Sequence, residues 1–517
     1  MLRRSSAALD WSNLWLPAVV LGGGVALAAT AQIQPLIALA LLVAVTVLTV
    51  AWPRRTQTLP RLFLYALAVL LIGYAVVGRG FAHLGVPPVY VGEIVLALGL
   101  VAALLGGGVR PAFRSRVVWL IVAFMAWGVW RTVPYLGKYG VVALRDGVTW
   151  GYAVFAILVS AFVLRTGWLP RIVRSYRHLV PLVLIGALAM IALDHFSGIR
   201  IVIPGSHAGL FDAKAGAIAV HLAGVGVFLT LGLHRVRNRG TDSVGSWMEW
   251  VWWGLWLGGF LMSGILNRGG MLAMVGALAT VFVLRPSPRL AKVAFLGIMG
   301  LSALVVLDLR VDLQKRELST EQIVANLQSI TGADDEKSLA GTRDWRLRWW
   351  NTILDYTVFG PYFWTGKGFG VNLSIDDGIL LHESPDDPPT RSPHNGHLTV
   401  LARMGVPGLA LWALLQATFG ALMLKAYLRA RRERRDDWAR VNLWILAFWV
   451  AFLIHMNFSV FLEGPHGGIW FWSLLGFGIA ALEIQKSLPR TAPRRAEPAV
   501  RATPLAPRRR SASASGS

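Results

Sequence analysis

The chain contains no cysteine. This absence excludes disulfide bonds, thiolate metal sites and cysteine nucleophiles. Charge is also scarce, because only 15% of the 517 residues are charged, whereas ordinary soluble domains carry about 25%. The composition therefore argues against a soluble enzyme of several domains.

Apolar residues make up 55% of the chain, which includes 23 Trp and 22 Phe. Many of these apolar residues occur in long runs, which exclude disorder for most of the sequence. A helix needs about 20 mostly apolar residues to cross a bilayer. We therefore predict an all-α protein, a polytopic transmembrane helix bundle of about 12–14 spans with one large extracytoplasmic loop containing short helices.

Fourteen segments are apolar enough to be candidate spans. They are residues 14–32, 33–52, 62–78, 89–105, 117–131, 150–164, 178–195, 213–233, 248–265, 269–284, 290–307, 397–424, 441–460 and 468–485. The predicted regions are transmembrane helices 1–11 within residues 1–307, a large periplasmic or extracellular loop at 308–396, transmembrane helices 12–14 within 397–485, and a disordered basic cytoplasmic tail at 486–517.

The formal net charge of +23 raises the question of nucleic-acid binding. With the N-terminus in the cytoplasm, most basic residues fall in the cytoplasmic loops and the tail, as the positive-inside rule requires. Membrane topology therefore accounts for the charge. We predict a multi-pass protein with both termini in the cytoplasm, with the lipid bilayer as a partner and no nucleic acid.

Two helices are predicted inside the large loop. Ser319 and Gln322 form a capping-box pattern, and a second helix covers about 342–357. The second helix carries Trp345 and Trp349 on one face. Either it lies on the membrane surface, or it packs on the outer end of the bundle.

Ionisable residues near the ends of membrane helices are candidates for function. A neutral histidine accepts a proton near pH 7, and a guanidinium suits a phosphate or pyrophosphate. Four clusters lie at predicted outer ends: His394 and Asn395; Arg268; His207, Asp212 and Lys214; Arg145 and Asp146. The structural alternatives are a helix cap for His394, a snorkelling Arg268, and ion pairs for Asp212–Lys214 and Arg145–Asp146.

The sequence contains no HExxH motif, Walker A motif or dinucleotide fingerprint. We therefore predict no metal and no cofactor, and no direct use of ATP. On the outer face, an activated lipid-linked substrate is the natural source of energy.

The motif at the start of span 12 resembles that of the bacterial O-antigen ligase and polymerase superfamily. Its pattern is His-[Asn/Ser/Gln], nine residues, then Gly-x-x-Gly; here His394-Asn395 precedes Gly405-Val406-Pro407-Gly408 at that spacing. Further similar elements are Arg343, Trp349 or Trp350, Pro361 and Gly366-Lys367-Gly368 in the loop, Asn267-Arg268-Gly269, and Gly209-Leu210-Phe211. The sequence departs from the family at His207, which replaces a basic residue, usually Arg, ahead of the Gly-x-Phe.

The resemblance implies a metal-independent, inverting glycosyltransferase of the bacterial inner (cytoplasmic) membrane, active in cell-envelope polysaccharide biosynthesis. The donor would be a glycan on undecaprenyl pyrophosphate, and the acceptor a hydroxyl of a glycan, lipid or protein. His394 would be the catalytic base. The substrate-binding candidates are Arg268, Arg343, Arg145, Lys214, His207 and Asn395, and Trp345, Trp349 or Trp364 would stack on sugar rings.

The resemblance does not distinguish a ligase from a polymerase. The main alternative is a polytopic transporter for a small anion or solute, which predicts polar residues at the membrane midplane. A scaffold without a substrate is a further alternative.

Overall fold

The computed structural model describes residues 55–86, 89–106, 108–195, 202–203, 209–211, 214–235, 246–287, 291, 295, 297, 311–313, 316–318, 337–379 and 390–489. The predicted spans 14–32 and 33–52, most of the predicted span 290–307, the predicted helix that begins near Ser319, and the tail from residue 490 onward lie outside these residues.

Within the described residues, the chain forms α-helices joined by 3-10 turns and two small antiparallel hairpins. The helices are α1 (Arg55–Val76), α2 (Val91–Leu105), α3 (Arg116–Tyr139), α4 (Val141–Asp146), α5 (Val148–Gly151), α6 (Val154–Thr166), α7 (Leu169–His195), α8 (Ala215–Thr230), α9 (Ser246–Leu266), α10 (Arg268–Leu284), α11 (Lys337–Thr357), α12 (Leu373–Asp376), α13 (Gly396–Arg432), α14 (Asp436–Met456) and α15 (Pro465–Ser487). The 3-10 turns are Arg79–His83, Arg110–Arg114, Leu233–Arg235 and Phe461–Glu463. Strand β1 (Gly85–Val86) pairs with β2 (Val89–Tyr90), and β3 (Val311–Leu313) pairs with β4 (Arg316–Leu318).

The all-α, polytopic fold class is confirmed. Seven helices of the described part are long and apolar enough to cross a membrane: Gln57–Val76, Arg116–Tyr139, Val148–Thr166, Leu169–Leu193, Gly396–Arg432, Asp436–Met456 and Pro465–Ser487. Three shorter apolar helices, α2, α8 and α10, also coincide with predicted spans. The total of fourteen spans stays a prediction.

Helix α8 lies at the centre of the bundle. It is apolar on all faces and buried along nearly its whole length, as expected of a helix surrounded by other helices. Its glycines admit large rings, because a Cβ at Gly224 would lie 2.6 Å from Phe448 and one at Gly226 would lie 2.7 Å from Trp256. Packing through small residues replaces the hydrophobic effect as the cause of helix association in a bilayer.

Helix α11 is the loop helix predicted at 342–357. Trp349 and Ile353 are fully buried against Leu373, Leu401 and Ala402. Of the two alternatives, packing against the bundle is therefore the one observed. The partner is the N-terminal part of α13, so the large loop is folded onto the helix that carries the histidine motif.

Helix α13 is interrupted at Gly405, whose backbone adopts φ 69° and ψ −174°. This region of conformational space is essentially restricted to glycine. A Cβ at Gly405 would also lie 2.5 Å from the carbonyl oxygen of Phe363. Gly405, the first glycine of the Gly-x-x-Gly motif, is therefore needed for two reasons: it adopts these torsion angles, and it lets the backbone of residues 363–365 approach closely.

The segment 363–368, here called the strap, satisfies the backbone groups that this interruption leaves unpaired. Its Lys367 and Gly368 amides donate to the carbonyls of Ala402 (2.7 Å) and Arg403 (3.1 Å). In the other direction, the Val406 amide donates to the Phe363 carbonyl at 2.8 Å. Unpaired backbone groups are costly inside a protein, so the strap and the interruption depend on each other.

We expect Gly405→Ala to destabilise the protein by about 1–3 kcal/mol, because alanine has to adopt strained torsion angles and collides with the strap. Thermal unfolding of the detergent-purified protein measures the effect. Gly254→Ala in α9 is the matched control, since a Cβ there meets no atom within 4 Å. Equal melting temperatures for the two variants would show that the interruption places no demand on glycine.

Candidate functional site

Asn395 begins α13 as its N-cap. Its side-chain oxygen accepts hydrogen bonds from the amides of His397 (3.0 Å) and Leu398 (3.1 Å). These bonds satisfy two of the amides that the first turn of a helix leaves unpaired. Asn395 thus sets the point at which the helix starts, immediately after His394. Its predicted contact with substrate stays a prediction.

His394 is half-buried and lies just outside the helix, with φ at 53°. Such a left-handed conformation is uncommon for a residue other than glycine, and it is held here by the capped helix on one side. The ring of His394 meets the ring of Trp345 edge to face, with centroids 5.7 Å apart and an interplanar angle of 84°. Helix α11 therefore provides one wall of the histidine's environment.

Arg346, the next residue of α11, brings positive charge to the same wall. Its guanidinium lies 5.3 Å from the centre of the Trp345 ring. Burial, and secondly the positive charge of Arg268, lower the pKa of Arg346. The Nε atom of Arg346 is buried and has no hydrogen-bond partner among the described residues. The two arginines thus share one region, where a buried donor is left for another acceptor.

Arg268 is the first residue of α10 and is half-buried. Asn267 caps this helix by accepting from the Gly270 amide at 2.7 Å. A Cβ at Gly269 would lie 2.6 Å from Phe458, and one at Gly270 would lie 2.7 Å from Ala219. The two glycines therefore allow the helix start to press into the bundle. A cation at a helix N-terminus lies at the positive end of the helix dipole, an arrangement that favours a bound anion.

Asp146 connects three separated parts of the chain near the site. Its carboxylate is buried and pairs with Arg391 at 2.9 Å and Arg403 at 3.2 Å. It also accepts from the Gly370 amide at 3.1 Å. Because Arg391 lies three residues before His394, this ion cluster fixes the chain just ahead of the histidine.

Arg403 is almost fully buried at 1% exposure. Its guanidinium donates to the carbonyls of Gly368 (3.3 Å) and Val371 (3.2 Å). Glu463 lies near it: burial raises the pKa of Glu463, and the positive charge of Arg403 opposes that rise. Arg403 is therefore a structural cation around which the strap is wound, rather than a group open to a ligand.

Lys367 of the strap holds α11 in place through two acids. It forms ion pairs with Asp376 and Asp377 and lies 4.2 Å from the centre of the Tyr356 ring. Burial alone would lower the pKa of Lys367, but hydrogen bonds to the two aspartates raise it overall. Asp377 in turn accepts from the Trp349 indole at 2.6 Å.

The hypothesis that Trp349 stacks on a sugar ring is wrong, because this side chain is fully buried and bonded to Asp377. Trp364 is 68% exposed, and Trp345 lies beside His394. These two residues keep the predicted role.

His397 is separated from the site by its hydrogen bonds. The Trp412 indole donates to its Nδ1 at 2.9 Å, so this nitrogen carries no proton. Its Nε2 then carries the proton and donates to the Leu453 carbonyl at 3.2 Å. Both ring nitrogens serve helix packing, and only His394 of the motif's two histidines borders α11.

The other predicted residues are exposed, or lie wholly or in their side chains outside the described part. Arg145 is exposed on α4, and its neighbour Asp146 pairs with Arg391 and Arg403, so the predicted Arg145–Asp146 pair is wrong. Lys214 is exposed at the N-cap of α8. The start of α8 lies against the start of α10, because a Cβ at Gly216 would lie 3.0 Å from Asn267 Oδ1. Arg343 lies within α11, but its side chain is outside the described residues, as is His207.

Sequence reasoning missed Arg346, Arg391 and the roles of Asp146 and Arg403. Arg403 had a usable signal, because an arginine inside an apolar helix demands a partner. Arg346 had none: it is one of three arginines between 343 and 348, and only the packing of α11 shows that it lies near Arg268. Among the described residues, no three His, Asp or Glu side chains are grouped to hold a metal.

We expect Asp146→Asn to destabilise the protein by roughly 3 kcal/mol, because it leaves two guanidiniums without their shared carboxylate. Asp355→Asn is the control, since Asp355 is an exposed acid of α11. Thermal unfolding in detergent measures both variants. If Asp146→Asn melts no lower than the control, the ion cluster does not hold this part of the chain.

Comparison with known proteins agrees with the sequence motif. Residues 253–413 match the family model of the O-antigen ligases. This stretch contains Arg268, Arg346, His394 and the Gly405 interruption. No curated protein matches the chain. The resemblance drawn from the motif is thereby confirmed for residues 253–413, which are similar to the O-antigen ligase family.

Proposed function

We propose that this membrane protein transfers a saccharide from an undecaprenyl-pyrophosphate donor to an acceptor hydroxyl, as a glycan ligase or a polysaccharide polymerase. The observation that carries the proposal is the buried Nε of Arg346, which has no hydrogen-bond partner among the described residues and lies close enough to Arg268, the first residue of α10, for the charge of Arg268 to lower the pKa of Arg346. Two guanidiniums and a helix N-terminus in one place suit a group with at least two negative charges. A pyrophosphate has that charge and has oxygens for both arginines.

In the proposed reaction, the acceptor oxygen attacks the anomeric carbon of the donor sugar. The bond from that carbon to the pyrophosphate oxygen breaks, and its electron pair leaves with the lipid pyrophosphate. Arg268 and Arg346 stabilise the charge that develops on this leaving group. Attack from the face opposite the leaving group inverts the anomeric configuration.

His394 is proposed as the general base that takes the proton of the acceptor hydroxyl. Trp345 contacts both His394 and Arg346, so the proposed base and the proposed leaving-group site border the same indole ring. This scheme includes no metal. We place the site on the periplasmic or extracellular face of the inner membrane, with both termini in the cytoplasm, because that orientation puts most basic residues inside.

We expect His394→Ala to lower the rate of transfer by about 10²-fold or more, since general base catalysis contributes about 10²–10⁴. The assay measures undecaprenyl pyrophosphate released by the purified protein when donor and acceptor are both present, in EDTA. His178→Ala is the control, because His178 is exposed on α7. Release that persists undiminished in His394→Ala would refute the assignment of the base, and loss of release in EDTA would refute metal independence.

We expect Arg346→Gln to weaken transfer by about 10–100-fold, because a hydrogen bond to a charged group contributes about 1.5–3 kcal/mol. The loss should appear in kcat as well as in the KM for the donor, because the charge on the pyrophosphate grows as the bond breaks, and the KM for the acceptor should stay unchanged. Arg348→Gln is the matched control, since it removes the same charge from an exposed position two residues away. Equal kinetics for the two variants would mean that Arg346 does not meet the pyrophosphate.

A further inference from the structure

Helices α10 and α13 both start at the candidate site, and their C-terminal ends lie together beside a second group of charged residues. Arg268 and His394 precede or begin α10 and α13. At the far end, the Tyr427 hydroxyl of α13 donates to the Leu284 carbonyl of α10 at 2.6 Å. The two helices therefore run in the same direction, and their C-termini lie at the end of the bundle opposite the site.

A pocket of about 340 Å³ opens between these two C-termini and the start of α14. It is lined by Arg285, Arg431, Arg434 and Asp436. Leu284 ends α10, Arg432 ends α13 and Asp436 begins α14. The pocket thus lies where three helices reach the same end of the bundle.

The lining carries three guanidiniums and one carboxylate. That carboxylate, Asp436, is already paired with Arg285 at 2.7 Å and with Arg440. The nearby acid Glu433 pairs with Arg429 at 2.7 Å and Arg435 at 3.1 Å. The acids around the pocket are therefore engaged, and the lining keeps a positive charge.

The remaining two arginines differ in their availability. Arg431 donates to the Leu284 carbonyl at 3.1 Å and so offsets the negative end of α10. Arg434 is exposed, and its backbone adopts φ 54° in the turn between α13 and α14. Arg434 is thus the residue of this pocket that is best placed to meet a ligand from outside.

An apolar groove of about 580 Å³ begins at the same end of α10. Phe282 and Pro286, on either side of Arg285 in sequence, line it together with Trp256, Phe260 and Leu278. A charged pocket lined by Arg285 and an apolar groove lined by the next residue, Pro286, match the two chemical parts of a phospholipid.

We propose that this pocket binds the phosphate headgroup of an anionic phospholipid, with an acyl chain in the adjoining groove. Guanidiniums bind phosphate oxygens through charge-assisted hydrogen bonds, and basic pockets between membrane helices take anionic headgroups. The bound lipid joins the end of α10 to the α13–α14 turn. It stabilises the bundle from the face opposite the candidate site and takes no part in catalysis.

The test measures lipid binding to the full-length, delipidated protein by native mass spectrometry. The lipids are phosphatidylglycerol and phosphatidylcholine with identical acyl chains. We expect phosphatidylglycerol to bind wild-type protein more tightly, and Arg434→Gln to weaken that binding about fivefold, the effect of one basic residue at a membrane surface. Arg432→Gln is the matched control, because Arg432 is an exposed arginine of the same turn that does not line the pocket.

Three results would overturn the proposal. Equal losses in Arg434→Gln and Arg432→Gln, or equal binding of the two lipids, would mean general attraction of basic residues to negative charge. Glycerol phosphate and inorganic phosphate are then added as competitors to the protein with bound phosphatidylglycerol. If either displaces phosphatidylglycerol at millimolar concentration, the pocket is a site for small anions, whereas retention of the lipid supports a headgroup site with an acyl-chain groove. None of these readouts depends on enzymatic activity.

Discussion

The interruption of α13 at Gly405 is the constraint on which the rest of the site depends. A helix that loses its hydrogen-bond ladder inside a bundle needs other partners for its amides and carbonyls. The strap provides these partners, and in doing so it becomes a fixed part of the bundle. Because α11 is tied to the strap through Lys367 and Asp377, Arg346 and Trp345 are held beside His394 by the same set of contacts.

The site also gathers charges that repel one another. Arg346 and Arg268 lie close enough for the pKa of Arg346 to fall, and Arg268 additionally occupies the positive end of a helix. Like charges held this close cost folding free energy. The buried Asp146 cluster and the Lys367 pairs, in contrast, combine opposite charges and stabilise the loop against the bundle. Perturbed pKa values such as that of Arg346 are typical of functional sites.

Much of the fold follows from the sequence alone. Hydrophobic run lengths predicted the positions of α1, α3 and α13–α15, because a bilayer imposes one length and one composition on each span. The motif located His394 and Gly405 for a similar reason, since the torsion angles at Gly405 leave little choice of residue. The spacing of Trp345 and Trp349 placed a helix in the loop, although it left open what that helix packs against.

The pairing of charges did not follow from the sequence. Asp146 sits beside Arg145, and proximity favoured that pair, but α4 turns the two side chains apart: Arg145 is exposed and Asp146 is buried. Its partners are 245 and 257 residues away, and nothing local in the sequence identifies them. Arg346 was hidden among neighbours of the same type for the same reason. Separation in sequence predicts which residues are neighbours on one helix face, but it does not predict which residues from different helices pair in a bundle.

Asp146 also joins two parts of the large loop, at Gly370 and Arg391. Gly370 donates to it, Arg391 pairs with it, and Arg391 also donates to the Gly370 carbonyl at 2.9 Å. Gly370 and Arg391, which are 21 residues apart in sequence, are therefore held together by Asp146 and by their own hydrogen bond. The position of the chain ahead of His394 is therefore set by Asp146, Gly370 and Arg391, and it depends little on the length of chain that joins Gly370 to Arg391, since loop closure becomes only slowly more costly as a loop lengthens.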